Sequence, residues 1–288
     1  MVTPPEGTDV TPSPSEQRVR VNGIEINVTV AGQGDPVVLL HGWPHTGLVW
    51  SEVVPALAQT HLVLVPDLRG AGGSDRPAFG YDLNTLVDDV TGLLDRFDRP
   101  TAAVVGLDLG APVAFMTALR EPERVDRLVL MEALIGTLPG AEDFLASGPP
   151  WWFGFHAVPG LAETVLAGHE GEYLDWFYRS GTLGRGIPVA IRDAFVRAYT
   201  GDGGLRGGFE HYRAMRENVA LIDDLVKRRR LVVPTAVIGG ATVGEATFRQ
   251  VKPIADDVRG HLVPDGGHIL PLDRPKEVLE ILLPFLAG

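Results

Sequence analysis

One short string of the chain, Val104-Val105-Gly106-Leu107-Asp108-Leu109-Gly110, reads as an apolar strand, a tight turn between glycines and the start of a helix. A sharp turn of this kind holds its central side chain clear of the backbone at the end of a sheet. That side chain is the carboxylate of Asp108. Because a carboxylate can attack carbon to give a covalent ester, Asp108 is predicted to be a nucleophile. Epoxides or alkyl halides are then favoured as substrates over esters and amides.

A second motif, His41-Gly42-Trp43-Pro44, directly follows an apolar run. A turn at this place can supply a backbone N–H to an oxyanion, here from Trp43, and the residue after the nucleophile, Leu109, can supply another. Taken alone, the motif is typical of a turn built from glycine and proline. Together with Asp108 it predicts an oxyanion hole, and we expect His41 and Pro44 to contact substrate.

A water-activating base is predicted at His268, which follows the last apolar run. An early nucleophile and a late histidine have the chain order of the catalytic triad that is built on such a strand-to-helix turn. The acid that orients such a histidine usually lies in the turn after the strand, here residues 235–238. That turn contains no carboxylate, and Glu245 lies beyond it. We therefore prefer Glu132, at the end of the preceding apolar run. The alternative interpretation is that Glu132 only caps the entry to the next segment.

The elements that position these residues follow from hydrophobic patterning. Alternation around Asn22-Gly23 predicts a hairpin over 19–30, and helical spacing predicts a helix over 82–97. Continuous apolar runs are typical of buried parallel strands, and their alternation with helices predicts an α/β fold with a doubly wound, mostly parallel sheet. The runs are 36–40, 62–65, 102–105, 128–131, 235–238 and 260–263.

A change of pattern after residue 132 divides the chain. The following stretch is rich in aromatic residues and glycine, which favours an inserted α-helical cap over the carboxyl ends of the strands, where open α/β sheets bind ligands. The predicted divisions are a disordered leader, 1–17; a core, 18–132 and 231–288; and the cap, 133–230.

Composition limits the class of protein further. The 288 residues are 45% hydrophobic, which suits one large domain with an insertion. A net charge of -12 argues against nucleic acid or an anionic membrane as partner, and zero cysteines exclude disulfides and thiolate metal sites. No stretch approaches the roughly 20 apolar residues of a membrane span. We expect a cytoplasmic enzyme, as a monomer or a homodimer.

Together, the Asp108 turn, the His41 to Pro44 turn, Asp67-Leu68-Arg69-Gly70 and Gly267-His268 resemble the α/β-hydrolase-fold epoxide hydrolases and dehalogenases. The resemblance covers nearly the whole chain after the leader and implies the α/β-hydrolase fold. Met131-Glu132-Ala133 resembles the branch of epoxide hydrolases that takes its charge-relay acid from this position.

Two departures separate the reactions within this resemblance. Leu109 stands where haloalkane dehalogenases usually carry a halide-binding tryptophan. Leu109 and Pro112 stand where fluoroacetate-type dehalogenases place arginines. Both departures favour the epoxide hydrolases.

The epoxide hydrolases also use hydrogen-bond donors from the cap on the ring oxygen. The segment 209–213 resembles the one that carries the second donor, which implies Tyr212, and we expect its neighbour His211 to contact substrate. Trp151-Trp152 stands where the first donor is expected. An indole N–H donates a hydrogen bond but cannot deliver a proton. Packing in the cap hinge explains the pair equally well, and His156 is a competing donor that we also expect beside the substrate.

The tryptophan pair resembles the epoxide-hydrolase-like enzymes of aromatic polyketide pathways such as kinamycin biosynthesis, which implies a bulky, hydrophobic, small-molecule epoxide. The resulting hypothesis is an epoxide hydrolase that forms an Asp108 ester and needs no metal and no organic cofactor. The alternatives are a dehalogenase that uses Asp108 and His268, and a non-catalytic ligand-binding protein of the same fold.

Overall fold

The computed structural model describes residues 14–201 and 203–288, and its centre is an eight-stranded sheet. The strand order is β1-β2-β4-β3-β5-β6-β7-β8. Strand β2 pairs antiparallel with β1 on one side and with β4 on the other, and all other pairs are parallel. The strands are β1 (Ser15–Val21), β2 (Ile24–Ala31), β3 (Asp35–Leu40), β4 (His61–Pro66), β5 (Ala102–Leu107), β6 (Val125–Met131), β7 (Thr235–Gly239) and β8 (Val258–Leu262).

The strands form where the sequence predicts them. Every residue of β4, β5 and β7 is buried, as expected for central parallel strands covered on both faces. The predicted hairpin is confirmed, and its two turn residues, Asn22 and Gly23, both have the positive φ that a two-residue hairpin turn requires.

The predicted leader is corrected at its end. Strand β1 begins at Ser15, because the antiparallel ladder of the hairpin continues to the pair Ser15 and Val30. Residues 15–17 therefore belong to the sheet. Residues 1–13 of the predicted leader lie outside the described residues.

Helices cover both faces of the sheet. The predicted helix over 82–97 is confirmed, with the Asp82 side chain accepting the N–H of Thr85 at 3.0 Å as its cap. The core and connecting helices are α1 (Val54–Leu57), α2 (Leu83–Arg96), α3 (Gly110–Arg120), α10 (Ala246–Val251), α11 (Leu270–Asp273) and α12 (Pro275–Ala287). Between β6 and β7 lie α4 (Trp151–Ala157), α5 (Leu161–Leu166), α6 (Glu170–Ser180), α7 (Val189–Tyr199), α8 (Gly204–Arg213) and α9 (Met215–Val226).

The helices between β6 and β7 lie within the predicted cap. Buried side chains of α6 and α7, such as Leu174 and Phe195, join the same apolar cluster as β3 and β5, so the cap packs on the carboxyl-terminal end of the sheet. Within the described residues, no helix is both long enough and apolar enough to cross a membrane.

Candidate active site

The turn after β5 projects Asp108 from the sheet. Asp108 has φ of +52°, a left-handed conformation that costs a non-glycine residue about 1–3 kcal/mol. Glycine is required around it, because a Cβ at Gly42 would lie 2.2 Å from Asp108 Oδ1 and a Cβ at Gly106 would lie 2.4 Å from the Gly110 carbonyl oxygen. The strained turn thus depends on close backbone approaches that only these glycines permit.

Both oxygens of Asp108 are held. The backbone N–H of Trp43 donates to Oδ1 at 2.8 Å, and the backbone of Leu109 helps to lower the pKa of this carboxylate. Oδ2 lies 3.0 Å from Nε2 of His268. The Trp43 amide, one of the two that the sequence predicts as oxyanion donors, therefore holds Oδ1 of the carboxylate, while His268 holds Oδ2.

Glu132 follows β6 and lies on the other side of His268. Its Oε2 is 3.2 Å from Nδ1 of His268, and its carboxylate also accepts the backbone N–H groups of Gly240 and Val243, from the turn after β7. Glu132 is fully buried and, like Asp108, has a positive φ, +48°. These contacts fix the carboxylate so that it holds one orientation of the imidazole.

A cavity of about 460 Å³ opens over this array, within the size range of small-molecule sites. Its walls are mostly apolar, and no lysine or arginine among the described residues lines it. Among the described residues, no three or more histidine, aspartate or glutamate side chains are grouped so that they could hold a metal ion. The predicted site residues that line the cavity are Trp43, Pro44, Asp108, Leu109, Glu132, Trp152, His211, Tyr212 and His268.

Comparisons with known proteins identify the family of the chain. A family model described as alpha/beta hydrolase fold matches residues 35–275. The chain belongs to the α/β-hydrolase fold family. Among its relatives are the soluble epoxide hydrolase of Corynebacterium sp. strain C12, 29% identical over 95% of this chain and 97% of the relative, and epoxide hydrolase A of Mycobacterium tuberculosis, 30% identical over 96% and 98%. The cis-3-alkyl-4-alkyloxetan-2-one decarboxylase of Shewanella oneidensis is 36% identical over 92% and 86%. This α/β-hydrolase-fold chain is a hydrolase enzyme.

Three of the predicted substrate contacts do not line the cavity of this hydrolase. Both ring nitrogens of His41 are used by backbone groups, at 2.8 Å to the Gly42 carbonyl and 2.9 Å to the Leu68 N–H, so His41 holds two loops together. Trp151 is 55% exposed on the outer side of α4. His156 is buried instead, stacked on Phe209.

His156 has a different partner from the one expected. Its Nε2 lies 2.5 Å from the hydroxyl of Tyr173, a residue that the sequence analysis did not single out. Burial lowers the pKa of His156 to about 3, so the ring stays neutral. An imidazole that is paired with a phenol and packed between aromatic rings supports the cap and does not meet the cavity.

Two more cap tyrosines were not found from the sequence. The hydroxyl of Tyr178 donates to the Pro44 carbonyl at 3.0 Å, and that of Tyr199 donates to the His45 carbonyl at 2.8 Å. Both tyrosines are buried, and they tie α6 and α7 to the loop that carries Trp43. Nothing in the local sequence distinguishes them from ordinary core aromatics.

The two carboxylates control the protonation of His268. Burial by itself lowers the pKa of His268, but the hydrogen bonds and charges of Asp108 and Glu132 outweigh burial and raise that pKa to about 10. Burial raises the pKa of Asp108, but the hydrogen bond and charge of His268 outweigh it, and the pKa of Asp108 lies below its ordinary value. The free enzyme thus holds an imidazolium between two carboxylates.

Replacing Asp108 by asparagine tests this coupling. Asp108→Asn keeps the shape of the side chain and removes one charge, so we expect the pKa of His268 to fall from about 10 toward 6.5, measured by an NMR pH titration of the imidazole. Because the folded pKa exceeds the unfolded one, His268 contributes full stability below pH 6.5 and loses it as pH rises toward 10. The free energy of unfolding should therefore fall more over this range in wild type than in D108N. An unchanged His268 titration would contradict the coupling.

Proposed function

We propose that this enzyme is an epoxide hydrolase that acts through an ester of Asp108. The observation that supports this best is the Tyr212 hydroxyl, which has no hydrogen-bond partner among the described residues and lines the same cavity as Asp108. The ring of Tyr212 packs edge-on against Trp43, whose N–H holds Asp108 Oδ1. A free phenol in the same cavity as a carboxylate nucleophile suits a reaction whose leaving group needs a proton.

The first step opens the ring. Oδ2 of Asp108 attacks a ring carbon, the carbon–oxygen bond breaks, and the ring oxygen takes the proton of Tyr212. Burial and the negative charge of Asp108 raise the pKa of Tyr212 well above 10, so the phenol is protonated in the free enzyme. Trp152 also lines the cavity, and its indole N–H can hydrogen-bond the oxygen without giving up a proton.

The second step releases the diol. Ester formation removes the Asp108 charge that holds a proton on His268, so the pKa of His268 falls. Its proton is lost to the tyrosinate, which restores the Tyr212 phenol, and His268 becomes a base. His268 then takes a proton from water, the hydroxide adds to the ester carbonyl, and the N–H groups of Trp43 and Leu109 hold the oxyanion. Collapse of the tetrahedral intermediate passes that proton from His268 to the departing diol oxygen and leaves Asp108 as a carboxylic acid. The acid proton then moves to His268, which restores the Asp108 carboxylate and the His268 imidazolium.

The basicity of the leaving group favours an epoxide over the rival substrates. The leaving group of an epoxide is an alkoxide, which needs a proton in order to leave. A halide ion and the carboxylate of an opened β-lactone leave without a proton, so a site with a proton donor suits the epoxide. The cavity also lacks the cation that a haloacid would need, since no lysine or arginine among the described residues lines it. A cavity of about 460 Å³ with apolar walls supports a bulky aromatic or polyketide-derived epoxide.

A panel of substrates in heavy-oxygen water tests the proposal. Aryl and polycyclic epoxides should give diols that carry an enzyme oxygen in a single turnover, with the label then appearing in the peptide that contains Asp108. Release of CO₂ from a β-lactone, or of halide from haloalkanes, with no diol from any epoxide would instead identify a decarboxylase or a dehalogenase.

Cytoplasmic location, homodimerisation and the cap bounds 133–230 stay predictions of the sequence.

Removing the phenol tests the role of Tyr212. Tyr212→Phe should slow ester formation from an epoxide by roughly 10²-fold, because the alkoxide loses its acid. Alkylation by a matched alkyl bromide should change less than about twofold, since bromide needs no proton. Quench-flow mass spectrometry of the enzyme measures both rates. Equal slowing with both substrates would show that Tyr212 only packs, and would count against its role as the acid.

A further inference from the structure

One wall of the cavity contains two fixed polar side chains that the mechanism does not use. His211 and Asn218 both line the cavity and both lie against Tyr81. The Tyr81 ring packs edge-on to the imidazole, with centroids 5.1 Å apart, and its carbonyl oxygen lies 3.5 Å from Nδ2 of Asn218. We call these two residues the His211–Asn218 wall.

The contacts of His211 fix its tautomer. Its Nε2 lies 2.9 Å from the backbone carbonyl of Arg69, and a carbonyl oxygen only accepts, so Nε2 carries the hydrogen. Burial lowers the pKa of His211 to about 4, and the ring is therefore neutral near pH 7. A neutral imidazole with hydrogen on Nε2 has a bare acceptor at Nδ1.

That acceptor is open to a ligand. Nδ1 of His211 has no hydrogen-bond partner among the described residues, yet it is not sealed by protein as the partnerless nitrogens of His45 are. The residue as a whole is 7% exposed and lines the cavity. The imidazole therefore presents a positioned acceptor to whatever occupies the cavity.

Asn218 adds a donor to the same wall. Its Oδ1 accepts the backbone N–H of Leu83 at 2.8 Å, which fixes the orientation of the amide. Nδ2 has two hydrogens, and Tyr81 can accept one of them. The wall thus offers one acceptor and one donor inside a cavity whose other lining is mostly apolar.

We propose that the His211–Asn218 wall binds a neutral hydroxyl group on the non-reacting part of the substrate, which donates to Nδ1 of His211 and accepts from Nδ2 of Asn218. This inference rests on the proposed epoxide hydrolysis and specifies its substrate class as hydroxylated epoxides. A hydroxyl both donates and accepts, whereas an ether only accepts and a carboxylate would lack a cation here. A substrate without a hydrogen-bond donor would displace water from Nδ1 of His211 and leave that acceptor without a partner. The free-energy cost of the unpaired acceptor gives the selectivity.

The test uses aryl epoxides that differ at one substituent. For each ring position, the compounds bear a hydroxyl, a hydrogen or a methoxyl group, and kcat/KM is measured for wild type, His211→Phe and His211→Gln. At one position, wild type should prefer the hydroxyl compound by about 10- to 100-fold over both analogues. His211→Phe should lose that preference, so that its kcat/KM values for the hydroxyl, hydrogen and methoxyl compounds fall within about twofold of one another, and circular dichroism melting checks that the variant is folded. His211→Gln retains an acceptor and should keep part of the preference.

Two outcomes would overturn the inference. One is a wild type that shows less than twofold preference at every ring position, and the other is a preference that survives in His211→Phe. If no epoxide is hydrolysed at all, the proposed function fails, and the wall is tested by calorimetric binding of naphthols against the matching methoxynaphthalenes. A naphthol preference that disappears in His211→Phe supports the wall independently of the reaction, and its absence rejects the wall.

Discussion

Asp108→Ala should lower kcat/KM for every epoxide that the enzyme hydrolyses by about 10⁴-fold or more. Loss of a covalent nucleophile typically removes nearly all catalysis beyond binding and oxyanion stabilisation. The effect should be large because Glu132, the only other carboxylate that lines the cavity among the described residues, cannot replace Asp108. Glu132 is fully buried and engaged by backbone N–H groups. Initial rates of diol formation measure the loss.

A matched aspartate controls for general damage. Asp126 is an exposed residue of β6, and Asp126→Ala should keep wild-type activity. Circular dichroism melting of both variants separates loss of chemistry from loss of fold. An Asp108→Ala enzyme that retained more than a few per cent of activity would exclude the ester route.

His268→Gln should stop the reaction half-way. Glutamine keeps a polar side chain near Asp108 but cannot act as a base toward water, so ring opening proceeds and ester hydrolysis slows by roughly 10²–10⁴-fold. Intact-mass spectrometry should then show one added substrate mass per chain, and digestion should place it on the peptide that contains Asp108.

Two further variants interpret that adduct. His169 is exposed at the start of α6, and His169→Gln should turn over normally with no adduct. The double variant of Asp108→Ala with His268→Gln should show no adduct either. Absence of an adduct in His268→Gln while diol formation has stopped would mean that His268 is needed before the ester forms.

The sequence predicted that three of the site residues come together, because each of them follows a parallel strand. Asp108, Glu132 and His268 come after β5, β6 and β8, and parallel strands end at one edge of the sheet. The preference for Glu132 followed from the missing carboxylate after β7. The structure supplies the reason for that choice, since the turn after β7 gives Glu132 the N–H groups of Gly240 and Val243.

The cap was predictable only as a region. On a helix, adjacent residues point about 100° apart, so Trp152 faces the cavity while Trp151 faces outward, and the sequence alone does not fix which. His156 illustrates the same limit, because its partner Tyr173 lies on a different helix. Such pairings arise from how short cap helices pack together, which local periodicity does not encode.

The tyrosine hydroxyls that hold the Pro44 and His45 carbonyls have a consequence for substrate entry. Any movement that lifts α6 and α7 off the sheet must break both hydrogen bonds, and the loop that loses them also carries the Trp43 N–H on Asp108. If substrate enters by such a movement, the same step loosens the loop that holds Asp108. Closure of α6 and α7 would then restore both tyrosine hydrogen bonds and the contact of the Trp43 N–H with Asp108 together.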